Sequence, residues 1–253
     1  MLKNLLSVLY YSWQRPERML NYLQTGYVSG IEVVINHEKK CVYVLNPKVA
    51  TTSIVRFLSN YDPDELEKTT SHKKKRKLKG ISYLKGAAQL EQLQREGYFV
   101  FSFVRNPYTR VISFFKQKYT LEQGKGYKHR AFALSRGLER VASFEDMVKK
   151  MASIPDEVAD THFMSQTAIL YEQAKGVDYD FVGKLETFET DFANVQNACG
   201  ISSVPGKDNA TQNDDWQSYL SVETERLIYE RFKSDFIEFG YERFFVHEHE
   251  SKS

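Results

Sequence analysis

The stretch Cys41-Val-Tyr-Val-Leu-Asn-Pro-Lys-Val-Ala-Thr-Thr-Ser53 changes character part-way along. Its first half is a short apolar run that reads as a strand ending at Pro47. Its second half is a lysine, small residues and three consecutive hydroxyls, set just ahead of Ile54, Val55 and Leu58 at helical spacing. A junction of this composition gathers backbone N–H groups, hydroxyls and the Lys48 ammonium at a helix N-terminus. Such a spot suits a phosphate or sulfate group, through donors left over by the helix and the positive end of its dipole. The glycines of the G-x-x-x-x-G-K-[ST] pattern are absent, so this is not a Walker loop. The same residues also fit a plain strand-turn-helix with a threonine cap and an exposed lysine.

A second junction, Phe99-Val-Phe-Ser-Phe-Val-Arg-Asn-Pro-Tyr-Thr-Arg110, repeats the design. Tyr98 to Val104 reads as a buried strand, Arg105 stands at its carboxyl end, and Pro107 suits the first helical position. Ser113 follows four residues after Thr109, on the same helix face. An arginine fork with a hydroxyl makes a second phosphate clip, and two clips at the carboxyl ends of strands match a ligand with two separate anionic groups. The competing reading is an arginine that only pairs with a carboxylate.

Outward from these junctions, Ile31 to Asn36 and Cys41 to Asn46 read as a hairpin or two adjacent strands, and Tyr179 to Val182 as a short strand. Helices are expected over Thr51 to Asn60, Lys85 to Glu96 (ended by Gly97), Tyr108 to Tyr119, Phe144 to Met151 and Thr161 to Glu172. Two more are expected over Thr187 to Ala198, stopped by Gly200, and Ser221 to Phe236, opened by Ser221. Strands alternating with helices predict an α/β, P-loop-like three-layer fold with a mainly parallel central sheet flanked by helices. The 253 residues are expected to form one domain, with a docking-helix region over 1–30, a basic loop over 68–80 and a flexible tail over 242–253.

Hydrophobic residues at 42%, charged residues at 27% and a net charge of +2 describe an ordinary folded chain, and do not by themselves point to nucleic acid. The two cysteines, Cys41 and Cys199, exclude a disulfide-rich scaffold and read as buried small hydrophobes. No apolar run approaches the ~20 residues of a membrane span. The N-terminal segment (Lys3, then Leu5 to Tyr11) reads as a docking helix, with peripheral membrane contact as one use. Lys68, Lys73, Lys74, Lys75, Arg76, Lys77 and Lys79 form a basic run without an acid. It reads as a solvated loop, a lip for an anionic substrate, or a nucleic-acid or import tract; it lacks the aromatic interleaving that single strands stack on.

Pro47-Lys48-Val49-Ala50-Thr51-Thr52-Ser53 resembles the 5′-phosphosulfate loop of sulfotransferases, and Val104 to Ser113 resembles their 3′-phosphate motif. The Pro-Lys-Val-Ala form resembles the carbohydrate branch of sulfotransferase family 2, of the chondroitin and dermatan type. Three further segments look similar in order: Asp160-Thr-His162-Phe-Met-Ser-Gln166, Tyr179 to Asp191, and Ile228 to Tyr241. The resemblance implies the donor 3′-phosphoadenosine-5′-phosphosulfate (PAPS) and transfer of its sulfuryl group to a carbohydrate hydroxyl. It assigns Lys48, Val49, Ala50, Thr51, Thr52 and Ser53 to the 5′-phosphosulfate, and Arg105 and Ser113 to the 3′-phosphate. It also makes Lys184 and Glu186 candidates for sugar contact, although an ion pair fixing their loop fits as well. Asn209-Ala-Thr211 resembles a cofactor-side loop, without the basic residue expected after it.

In-line transfer needs charge stabilisation on the leaving oxygen, a role for Lys48, and no metal. A general base should accept the acceptor proton. Six histidines are present, and His162 is favoured by its place in the matched segment, on an expected helix. His72, between the two clips, is the rival, with Glu91 or Glu96 as carboxylate alternatives. The membrane anchor and cysteines of the chondroitin-type enzymes are not matched here, which fits a cytoplasmic enzyme acting on a capsular or other exported polysaccharide. The alternatives are a nucleotide-dependent phosphotransferase and a noncatalytic polyanion-binding module using residues 73–79.

Overall fold

The computed structural model describes residues 16–59, 80–120, 138, 141–201 and 215–245. The strands are β1 (Glu32–Asn36), β2 (Cys41–Val44), β3 (Ser82–Lys85), β4 (Phe99–Val104) and β5 (Phe181–Lys184). The α-helices are α1 (Pro16–Thr25), α2 (Thr51–Leu58), α3 (Leu90–Arg95), α4 (Pro107–Phe115), α5 (Phe144–Ala152), α6 (Phe188–Cys199), α7 (Val222–Arg231) and α8 (Lys233–Glu238). The described residues fall into two compact units. A sheet unit draws on Gly30–Arg105 and Ala168–Gln212, and a helical unit on Met1–Ser29, Asn106–Thr167 and Asn213–Ser253.

In the sheet unit the strand order is β3-β1-β2-β4-β5. β2, β4 and β5 pair in parallel, while β1 runs antiparallel to both β2 and β3, so four strands point one way and β1 is reversed. The mainly parallel α/β sheet expected from the sequence is therefore present, flanked by helices. Register aligns Tyr83, Val34, Tyr43, Phe101 and Phe181 in one row across the sheet. Tyr43 and Phe101 stack at 5.3 Å, and Ile54, Phe57 and Leu58 of α2 and Phe192 and Val195 of α6 join the same core. On the opposite face Val33, Val42, Val44 and Val100 are also inaccessible, the double burial that parallel strands require. Gly183 is needed opposite Phe103, because a Cβ there would overlap the ring. Gly200 ends α6 in the left-handed region, with the Ile201 N–H returning to the Gln196 carbonyl.

Two sequence readings change in this unit. The helix expected over Lys85 to Glu96 begins only at Leu90, because Ser82–Lys85 pairs with β1 and Gly86 turns the chain at positive φ. Cys41 and Cys199 are buried as expected, but they are joined in a disulfide, with Cα atoms 6.0 Å apart.

In the helical unit α4 opens as predicted: Asn106 accepts the Tyr108 N–H and Pro107 occupies the first turn. The helix continues into a π turn over Lys116–Thr120. The single helix expected over Ser221 to Phe236 is two, α7 and α8, broken at Phe232. The helix expected over Thr161 to Glu172 is not continuous: turns occupy 161–163 and helical structure resumes at 166. Four of its backbone donors go to carboxylates instead of to carbonyls four residues back. Asp160 accepts the His162 N–H, Asp156 the Ser165 N–H, and Asp235 the Gln166 and Thr167 N–H groups. Among the described residues no helix is long and apolar enough to cross a membrane.

Candidate active site

The Lys48 loop leaves the carboxyl end of β2. Asn46, fully buried, donates to the Phe103 carbonyl at 3.0 Å and ties the loop to β4. Lys48 (φ 74°) and Ala50 (φ 55°) both adopt left-handed backbone, a conformation costly for residues with a Cβ and one that clusters where function demands it. Ala50 is the N-cap of α2 and offers no side-chain cap, and the first turn holds no acid. The Thr51 hydroxyl donates to the Asn46 carbonyl at 2.8 Å. The threonine-cap alternative therefore fails: Ala50, not a threonine, takes the N-cap position of α2. Val49 is fully buried, so only its backbone can serve a ligand.

Beneath the loop lies Tyr43, whose hydroxyl is buried without a hydrogen-bond partner although Thr51 and the Asn46 backbone are adjacent. Burial pushes its phenol well above the ordinary range and keeps it a neutral donor. Its alternation with core residues hid it in the sequence.

Arg105 follows β4, the parallel neighbour of β2, and donates from Nη1 to the Lys48 carbonyl at 3.4 Å. The structure thus brings the first clip and the arginine of the second to one sheet edge. Lys184 ends β5 and pairs with Val104, so it reaches the same edge. Its loop is fixed by Asp191, which accepts the Lys184 N–H at 2.7 Å and the Thr187 hydroxyl at 2.8 Å. Glu186 sits in the short turn between them. Lys48, Arg105 and Lys184 thus follow or end three adjacent parallel strands, beside a helix N-terminus, an arrangement with the chemistry of a cradle for anions. Among the described residues no group of three or more His, Cys, Asp or Glu could hold a metal ion.

The remaining described candidates belong to the helical unit. Ser113 is half-buried on α4. His162 stands on a turn, not on the expected helix, and its Nδ1 lies 2.6 Å from Asp160 Oδ1. Burial alone would raise the Asp160 carboxyl. The His162 ring, hydrogen bonds from its ring and backbone, and Arg18 outweigh that and hold it down to about 2. Arg110, buried, donates to the Met164 carbonyl at 2.6 Å and the Thr161 carbonyl at 3.1 Å, on either side of the His162 turn. The sequence reading missed that role; an arginine on an otherwise apolar helix face was the available signal. His37 is bonded through both ring nitrogens, to Tyr98 and Ser82, at the hairpin end of the sheet, and so is structural. His72, the 68–79 basic run, Asn209 to Thr211, His129, His247, His249 and Lys3 to Tyr11 lie outside the described residues.

Comparison with known proteins identifies the family. Residues 32–242 match the family model described as Sulfotransferase family. Carbohydrate sulfotransferase 12 of Mus musculus is 26% identical over 250 residues, covering 83% of this chain and 59% of the relative. The Xenopus laevis protein of the same name is 24% identical, over 89% and 61%. Carbohydrate sulfotransferase 11 of Rattus norvegicus is 24% identical, over 83% and 66%. The chain spans about three-fifths of the length of the first of these curated relatives. No solved structure matches it. With a family match across both anion clips and the sheet that carries them, this chain belongs to the sulfotransferase family.

Proposed function

We propose that the chain is a PAPS-dependent carbohydrate O-sulfotransferase. The observation that carries this is the Arg105 guanidinium on the Lys48 carbonyl, which joins the two clips at one edge of the sheet. The cradle residues fit such a donor. Lys48 and the Thr51–Ser53 first turn of α2, which holds no acid, would supply donors to the 5′-phosphosulfate, and Arg105 would hold the 3′-phosphate. When bound, PAPS supplies the sulfuryl group. Lys48 then stabilises charge on the leaving oxygen, a contribution of about 3–4 kcal/mol for one preorganised donor. His162 accepts the proton of the acceptor hydroxyl. The carbohydrate acceptor is supported by the names of the relatives, and Lys184 and Glu186 are its candidate contacts. Lys48 and Arg105 provide fixed positive charge where other transferases use a metal.

The test is thermal unfolding with the desulfated product PAP against ADP and ATP. PAP at ~100 times its dissociation constant adds about 2.7 kcal/mol, a rise of about 5–10 °C at this chain length. The rise should be specific to PAP and lost in Arg105→Ala. Equal shifts with ADP or ATP would favour the phosphotransferase, and no shift at all would remove the donor assignment. A cytosolic setting would leave Cys41 and Cys199 as two buried thiols, whereas an oxidised pair in the native host argues for an exported chain.

A further inference from the structure

We propose that Asp160 and Arg110 are positioning residues that fix the His162 ring as its Nδ1–H tautomer, leaving Nε2 as the basic nitrogen. The inference rests on the reading of His162 as the general base. Asp160 Oδ1 receives both the backbone N–H (3.0 Å) and Nδ1 (2.6 Å) of His162. A carboxylate that stays ionised can only accept, so the shared hydrogen belongs to Nδ1, and the lone pair of the neutral ring is on Nε2. Backbone geometry holds the carboxylate in place, since the Asp160 carbonyl accepts the Phe163 N–H (3.0 Å) and the Met164 N–H (2.9 Å).

Arg110 acts one step further out. It is 2% exposed and spans the turn with two guanidinium donors, one to Thr161 and one to Met164. A planar fork can satisfy both carbonyls at once, which a lysine ammonium cannot do in the same geometry. The charged groups facing this arrangement are Asp160 itself, Arg18, which acts on Asp160, and Asp235, which faces Arg110. The ring is thus held at Nδ1 and its turn at both ends, the support that a proton-accepting imidazole needs from its surroundings.

The test reads the tautomer directly, by long-range proton–nitrogen correlation of the ¹⁵N-labelled full chain at a pH where the ring is neutral. The expected result is Nδ1–H for His162 in the unaltered protein and a change to Nε2–H, the form favoured in water, in Asp160→Ala, which removes the oxygen that both donors share. Turnover of PAPS with desulfated chondroitin as acceptor should fall about 10²–10⁴-fold in kcat for Asp160→Ala, with KM values within about twofold. Arg110→Lys, chosen to preserve the buried charge, should keep the tautomer and lose about tenfold in kcat. An Nε2–H ring in the unaltered protein overturns the proposal without any variant. So does an Asp160→Ala chain with an unchanged tautomer and full kcat. Undiminished kcat in His162→Ala would instead overturn the base reading, a result distinct from either.

Discussion

The sheet unit and the helical unit both bury apolar side chains, but they place their carboxylates differently. In the sheet unit, the row through Val34, Tyr43 and Phe101 and the α2 and α6 residues above it form an apolar core, and the polar groups that matter stand at one edge. In the helical unit, carboxylates do the organising from within. Asp235 and Glu225 are fully buried, and Asp156 and Asp160 are partly so. Glu225 accepts from the Tyr108 hydroxyl at 2.5 Å and from Arg243 at 3.2 and 3.0 Å. Asp235 accepts the Gln166 and Thr167 N–H groups on its two separate oxygens, both at 2.9 Å. An apolar core specifies volume and tolerates exchange of shape. A buried acceptor specifies the position of every donor around it, and so can hold an irregular turn such as 161–167 where no helix ladder exists.

The largest expected effect separates the two modes by near-isosteric substitution. Asp235→Asn turns an amide NH₂ against one of the two backbone N–H groups and removes the charge facing Arg110, at a cost of about 3–5 kcal/mol. Ile54→Leu in the sheet-unit core conserves volume and should cost less than about 1.5 kcal/mol. Urea unfolding of both variants measures the difference. Equal costs would mean that the helical unit is also held by packing, and the contrast would collapse.

Asp160 gives the contrast a pH signature. Its folded-state value near 2 lies below the ordinary 3.8, so its contribution is complete above about pH 4 and is lost as pH falls through 2. The difference between the original chain and Asp160→Asn should be about 2 kcal/mol at pH 7 and should close by pH 2. Urea titrations at three pH values across that window read it. A difference that persists at pH 2 would assign the loss to packing of the side chain.

The same contrast explains what the sequence could reveal. The strands, their parallel centre, the α4 start at Pro107 and the Gly200 stop are local or periodic signals, and each is present in the structure. The anion loop was legible because its chemistry is contiguous, from Pro47 to Ser53. Strand β3 was not, because Ser82–Lys85 becomes a strand only by pairing with β1 nearly 50 residues earlier. Nor was the break in the Thr161 to Glu172 segment, whose spacing is helical but whose N–H groups are claimed by Asp235 from 68 residues away. The role of Arg110 likewise depends on the Thr161 and Met164 carbonyls, 51 and 54 residues away.

The smallest effect tests whether a legible contact is also a weak one. Ser221 was read from sequence as the opening of its helix, and its hydroxyl accepts the Thr224 N–H at 3.2 Å while Thr224 Oγ1 accepts the Ser221 N–H at 2.9 Å. Ser221 itself is exposed, so water can enter where its hydroxyl is lost in Ser221→Ala, although Thr224 is buried. The cost should be about 1 kcal/mol, or about 2–4 °C in Tm. Asp235 also satisfies two backbone N–H groups at a helix start, but in a fully buried place where water cannot substitute. The two sites therefore perform the same capping task under different solvation, and the ratio of their costs measures burial more than bonding. A Ser221→Ala loss as large as that of Asp235→Asn would show that capping itself, and not the buried acceptor, holds the helical unit.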